Sequence, residues 1–298
     1  MTVRPHGLLV PITTPFDSAT GDVAPVDLRE NARSLVAAGV QGIVAAGSTG
    51  EAALLSEDEY RQVVAWLRDV VPDGRWLIAG AGRESTRAAV EAARVAAQEG
   101  ADAVLVRSPS YYAPSITQQA LTTHFRTVAD ESPLPLLLYN MPKYTHLPIA
   151  ESVVTALADH ENVWGAKDSS GDLKSFAAYR EAAPGWTMFM GSGALYYAAL
   201  EMGAQGAVAA AGCFAAGPLL RIGERFLAGD KAGAGAAQEM VAPLHREIVG
   251  RLGVPGIKAA MDRVGLIGGP PRPPLPELTA RDRDRVAKLL AKAGLLAD

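Results

Sequence analysis

The sequence has 298 residues, 49% hydrophobic and 20% charged, ordinary proportions for a globular protein long enough to bury a core without disulfides. Its 28 basic and 32 acidic residues give a formal charge of −4, too mild an imbalance to point to nucleic acid. The single cysteine, Cys213, excludes an intrachain disulfide, and with five histidines it shows no metal-ligand spacing, so no metal is expected. The opening segment MTVRPHGLLVPITTPF lacks the layout of a secretory signal. No apolar run reaches membrane-spanning length, so no membrane partner and a cytoplasmic location are expected.

The apolar run 8–12 reads as a first strand, and a helical stretch over 27–38 follows it. A recurring unit then appears: an Ala-rich helix ends at Gly, two residues pass, and a short apolar run follows. It occurs at 37–47, 98–108 and 201–211, with Gly39, Gly100 and Gly203 as helix C-terminal glycines. The runs 42–46, 102–106 and 206–210 are uniformly apolar, as fully buried parallel strands are. Further strands are expected at 76–80, 135–139, 163–167 and 187–190, and further helices near 57–70, 86–99, 117–129, 149–158, 172–182 and 194–202. Ser56 and Glu59 have the spacing of a capping box for the second helix.

Eight strands alternating with helices predict an α/β fold, a (β/α)8 TIM barrel. An open doubly wound sheet would need a Gly-rich loop after the first strand, and VPITTPF is not one. Past residue 215 strand signals stop. Stretches 218–228, 232–250, 255–264 and 278–294 read as helices, with the connector GGPPRPPLP at 268–276. The expected organisation is a barrel over 1–220 carrying the site and a C-terminal helical region over 221–298.

Barrel sites form where strands end, so the segments after each apolar run carry the chemistry. They are GSTGE (47–51), RSPSYYAP (107–114), YNMPKYTH (139–146), KDSSGD (167–172) and GSG (191–193). Lys167 closes the run VWGA. A lysine taken out of water is pushed toward the neutral amine, a nucleophile for carbonyls. The blander readings are a surface lysine or a partner of Asp168. Ser48 and Thr49 sit between glycines in a turn whose N–H groups suit an anion, with no P-loop lysine; the plain alternative is an ordinary turn. Tyr139 ends its strand, as a proton relay or a core aromatic. Tyr111 and Tyr112 occupy a Pro-flanked loop, and either could enter the site. Glu51 reads as a buried partner for loop N–H groups or a helix N-terminal acid. Of the histidines, only His146 falls on an expected mouth loop.

GSTGE, YYAP, LLLYNMP, GAKDSSGD and GVPGIKAAMDRVGLIGGPPRPPL, in this order from VPITTPF onward, resemble the dihydrodipicolinate synthase / N-acetylneuraminate lyase family of class I aldolases. Within it the pattern is most similar to the 4-hydroxy-2-oxoglutarate aldolase branch. The resemblance implies Lys167 as the Schiff-base lysine and Tyr139 as proton shuttle. Ser48 and Thr49 would hold the pyruvate carboxylate and join the relay. Tyr111 would reach a neighbouring subunit's site, with Tyr112 the alternative. Val208, Ser169 and Ser192 would line the pocket. It also implies a homotetramer built as a dimer of dimers, and chemistry on pyruvate and an aldehyde without a cofactor.

Three positions depart from the pattern. Synthases of the family carry Arg where Tyr144 stands here, and a phenol cannot imitate its two-pronged carboxylate grip. The 4-hydroxy-2-oxoglutarate branch carries Asn at the place of Thr49 and Gly at that of His146. The expected activity is formation or cleavage of a C–C bond between pyruvate and an aldehyde, with a 4-hydroxy-2-oxoglutarate-like substrate. The alternatives are condensation of pyruvate with aspartate semialdehyde, to 4-hydroxy-tetrahydrodipicolinate, and a non-catalytic 2-oxo acid binder.

Overall fold

The computed structural model describes residues 4–296. Eight parallel strands close into a barrel in chain order: β1 (Gly7–Pro11), β2 (Gly42–Ala45), β3 (Trp76–Gly80), β4 (Ala103–Arg107), β5 (Leu136–Asn140), β6 (Val163–Asp168), β7 (Thr187–Met190) and β8 (Gly206–Val208). The helices between them are α1 (Pro25–Ala37), α2 (Glu57–Arg68), α3 (Thr86–Gln98), α4 (Gln118–Glu131), the short α5 (Pro142–Thr145), α6 (Glu151–Leu157), α7 (Leu173–Ala182) and α8 (Tyr196–Glu201). The expected TIM barrel is therefore present.

Strand side chains alternate between two cores. Leu9, Val44, Ile78, Leu105, Leu137, Phe189 and Val208 fill the barrel interior. Leu8, Val10, Ile43, Leu77, Val104, Leu136, Leu138 and Ala166 face the helices. Both faces are dry, which is why the strands read as unbroken apolar runs rather than alternating ones. Helix α2 shows how the outer layer is held. Tyr60, Val63, Val64 and Leu67 form its buried stripe. Ser56 accepts from the Glu59 N–H at 3.2 Å while Glu59 accepts from the Ser56 N–H at 2.8 Å, a complete capping box. Each buried aliphatic of the stripe contributes about 1.5–3 kcal/mol; loss of the cap would cost about 1 kcal/mol. Gly39, Gly100 and Gly203 sit at φ +99°, +84° and +85°, the left-handed conformation expected of them.

Strands β4 and β5 each start one residue later than expected. β8 stops at Val208, because Ala209 turns the chain and its carbonyl accepts from the Gly212 N–H at 2.9 Å. The next helix, α9, spans Gly212–Leu227 rather than starting at 218. It breaks at Ala215 (φ −141°, ψ 41°), and Pro218 falls in the first turn after the break, where its missing N–H costs no helical bond. α9 packs on β1 as the eighth barrel helix, and residue 220 lies in its middle. The stretch expected as one helix over 232–250 is two structures: α10 (Lys231–Leu244), then a π-helical segment, His245–Leu252. α11 (Gly253–Arg263) and α12 (Ala280–Lys292) complete the C-terminal region. Among the described residues no helix is long and apolar enough to cross a membrane.

Candidate active site

Lys167 pairs in register with Tyr139 on one side and Phe189 on the other, near the C-terminal ends of β5, β6 and β7. Register partners in a parallel sheet point the same way, so all three side chains enter the barrel. Lys167 is 5% exposed, and its Nζ lies 4.1 Å from the centroid of the Tyr139 ring. Among the described residues no carboxylate lies within ion-pair distance of it. Asp168 is not its partner. One residue along the strand, Asp168 points outward, where Asn140 donates to it at 2.9 Å and Ser170 through N–H and hydroxyl at 3.0 and 2.9 Å. Burial raises the Asp168 pKa against the opposing pull of those bonds.

The GSTGE turn brings Ser48 Oγ to 3.4 Å from the Tyr139 hydroxyl. Inside the turn, Gly50 N–H donates to the Gly47 carbonyl and Glu51 N–H to that of Ser48. The N–H groups of Ser48 and Thr49 have no acceptor among the described residues. Two adjacent free donors beside a buried lysine are suited to a carboxylate. The turn holds two non-glycine residues at positive φ, Ala46 (46°) and Glu51 (57°). Its close approach to β3 requires glycine there: a Cβ on Gly80 would fall 2.1 Å from the Ala46 carbonyl oxygen.

Glu51 fixes this strained turn to the far end of the chain. Its carboxylate is wholly buried, with Lys258 Nζ at 2.5 Å, and it accepts from the Arg272 N–H at 2.8 Å. Lys258 also donates to the Pro270 carbonyl at 2.8 Å. The Arg272 guanidinium grips both oxygens of Glu59 and the carbonyls of Leu54 and Gly21. The Pro-rich connector is thus a strap pinned across the GSTGE turn. Of the two sequence readings for Glu51, the buried partner of N–H groups is met by Arg272, with Lys258 added.

A cavity of about 150 Å³ opens above Lys167. Ser48, Thr49, Tyr139, Ser169, Ser192, Val208 and Tyr144 all border it, so seven of the expected site residues meet Lys167 there. Ser169 approaches β7 so closely that a Cβ on Gly191 would lie 1.8 Å from its Oγ. A second, larger cavity of about 480 Å³ shares Ser48, Tyr139, Lys143 and Tyr144 and leads out past Arg107, Arg251 and the Pro274–Pro276 segment. Tyr111 does not reach the cavity of its own chain. It is 79% exposed and stacks edge-on against Tyr112, itself 68% exposed. Glu84 shapes their loop, accepting from Tyr111 N–H, Ser110 N–H and hydroxyl, and Arg107. Burial works against its charge, yet these donors prevail and lower its pKa to about 2. His146 is exposed at the end of α5, with φ 52°, where glycine would sit without strain, and it does not border the cavity.

Sequence reasoning missed three features. His245 borders the cavity from the π-helical segment, with burial, then Lys143 and Arg246, lowering its pKa to about 4. Lys143 crosses the mouth to the Gly250 carbonyl of the same segment, 2.6 Å away. Lys258 lies on the buried stripe of α11 with Val254, Ile257 and Met261. A lysine at core spacing was the one local signal that a buried acid waited elsewhere.

Known proteins share this fold. The model of the Dihydrodipicolinate synthetase family matches residues 4–293. A 4-hydroxy-tetrahydrodipicolinate synthase from Synechococcus sp. is 39% identical over 283 residues, covering 94% of this chain and 92% of that protein. The Methanopyrus kandleri protein of the same name is 33% identical over 295 residues, 98% of both chains. The chloride-inhibited dihydrodipicolinate synthase from Acinetobacter baumannii, complexed with pyruvate, superposes with TM-score 0.93 at 30% identity, over 98% of this chain and 99% of that one. YagE, an E. coli K12 prophage protein in complex with pyruvate, gives 0.92 at 26%, over 97% and 99%.

Proposed function

The chain belongs to the Dihydrodipicolinate synthetase family, whose members are class I lysine Schiff-base enzymes of pyruvate, and we propose that Lys167 is its nucleophile. The observation that carries this is a buried lysine at a barrel strand end, against the Tyr139 ring, with no carboxylate within ion-pair distance among the described residues. Lys167 Nζ adds to the keto carbon of pyruvate, and loss of water leaves an iminium. The iminium draws electrons from C3, which gives up a proton to form an enamine. Enamine C3 then adds to the aldehyde carbon, the new alkoxide takes a proton, and water releases the product from Lys167. Cleavage is the same sequence reversed.

The free N–H groups of Ser48 and Thr49 bind the pyruvate carboxylate, and their hydroxyls join Tyr139 in moving protons. Val208, Ser169 and Ser192 pack around the keto acid, and Tyr144 meets the aldehyde half. Tyr111 serves a neighbouring subunit. Its exposure on a loop braced by Glu84 supports that role, as does the family's expected homotetramer.

The names of the relatives favour condensation of pyruvate with aspartate semialdehyde over the 4-hydroxy-2-oxoglutarate reading. One observation favours the latter. Tyr144 replaces the expected Arg, and the adjacent cation, Lys143, is engaged by the Gly250 carbonyl. Incubation with pyruvate and aspartate semialdehyde is expected to yield the cyclised product. Release of pyruvate and glyoxylate from 4-hydroxy-2-oxoglutarate without that product would assign the cleavage activity instead. Tight keto-acid binding with neither reaction would make the protein a binder.

A further inference from the structure

We propose that His245 selects the second reactant by donating a hydrogen bond from Nε2 to an oxygen carried beyond C3 of the 2-oxo acid bound at Lys167. The inference rests on the Schiff-base reading and deepens it. His245 Nδ1 accepts from the Gly193 N–H at 3.2 Å. A ring nitrogen that accepts cannot carry the proton, so the neutral imidazole bears it on Nε2. That N–H has no acceptor among the described residues. His245 forms part of the cavity wall and its Nδ1 is engaged, which leaves Nε2–H as the one polar atom of the ring for a ligand.

The surroundings preserve this tautomer. Gln238 donates to the Gly193 carbonyl at 2.8 Å and accepts from Tyr197 N–H at 2.8 Å, so both backbone groups of Gly193 are held from the C-terminal helices. Burial, then Lys143 and Arg246, oppose a positive charge on the ring. His245 lies at the start of the π-helical segment, a distortion often found at functional sites. The cavity therefore offers two kinds of recognition: N–H groups in the GSTGE turn for the carboxylate, and a neutral N–H on His245 for the incoming carbon chain. A neutral donor suits a hydroxyl, carbonyl or carboxylate oxygen and rejects a plain alkyl extension, which would leave it unpaired.

Asparagine and glutamine separate the two ring nitrogens, since the Asn amide oxygen overlies Nδ1 and the Gln amide nitrogen overlies Nε2. The test traps 2-oxobutyrate and 2-oxoglutarate on the wild type, His245→Asn and His245→Gln with borohydride, reading the ratio of half-saturating concentrations. Neither acid carries a C4 hydroxyl, so neither is cleaved. The wild type is expected to favour 2-oxoglutarate. His245→Asn is expected to erode that preference by about tenfold, and His245→Gln to keep it within about threefold. No preference in the wild type, or erosion in Gln with Asn spared, overturns the inference; the latter would reduce His245 to a support for Gly193. Failure of the wild type to trap pyruvate on Lys167 would instead defeat the Schiff-base reading.

Discussion

Two lysines lie buried among the described residues, Lys167 at 5% exposure and Lys258 at 1%, and their surroundings differ. Lys258 has Glu51 at 2.5 Å, the Pro270 carbonyl at 2.8 Å and the face of Phe16 at 4.4 Å. Burial lowers the Lys258 pKa, and Glu51 opposes that shift by pairing with the ammonium and fixing it in place. Lys167 has the Tyr139 ring on one side, Phe189 on the other and an open cavity. A charge held by a carboxylate ties distant segments together; an amine without one is free to react. Burial alone therefore does not mark a catalytic lysine. The marks are a missing acid and space for a carbonyl.

Substitutions that treat the two lysines alike should separate them. Lys167→Ala is expected to lower turnover by at least about a thousandfold, as loss of a covalent nucleophile does, with the melting temperature little changed. Tyr139→Phe keeps the ring against Lys167 but removes the hydroxyl near Ser48. Turnover should fall about 10²- to 10⁴-fold while pyruvate is still trapped. Lys258→Met leaves Glu51 buried without its cation and should cost about 3–5 kcal/mol in denaturant unfolding. The double variant Lys258→Met with Glu51→Gln should recover a large part of that loss. A Lys258→Met protein as stable as wild type would remove the contrast.

The comparison has a smaller counterpart in pH. His124 and His245 are both held neutral, chiefly by burial, with pKa values lowered to about 4 from 6.5. Between those values the unfolded chain binds protons that the folded chain refuses, so stability falls as pH drops from about 6.5 toward 4. Replacing His124 by Gln should flatten that slope, read from urea midpoints across the interval. Glu84 works at lower pH. Its carboxylate is favoured in the fold, so its support of the Tyr111 loop is complete above about 4.5 and lost as pH falls toward 2. Hydrogen exchange at residues 110–112 should quicken over that range, and Glu84→Gln should remove the dependence.

The barrel and the centre of the site were legible because local rules govern them, while Val208, Ser169, Ser192 and Tyr144 were legible only through the family resemblance. Helix-ending glycines, unbroken apolar runs and the polar segment after each run locate Lys167, Tyr139 and the Ser48–Thr49 turn. What was illegible depends on long-range closure. Glu51 and Lys258 meet only because the C-terminal helices fold back over the barrel mouth. Arg272 sat in a stretch that read as a mere Pro-rich connector, yet it clamps α2 and the GSTGE turn. His245 lay within an apparently continuous helix, and the π-helical segment that sets it in the cavity wall leaves no periodicity signal. Tyr111 matched a motif but stands outside the cavity of its own chain.

The most direct test of the contrast between the lysines is to incubate the protein with pyruvate, reduce with borohydride, and map the modified lysine by mass spectrometry. A single reduced pyruvyl adduct on Lys167, absent from Lys167→Ala and never on Lys258, is the predicted result. Adduct on Lys258, or none on Lys167 in the folded wild-type protein, would contradict it.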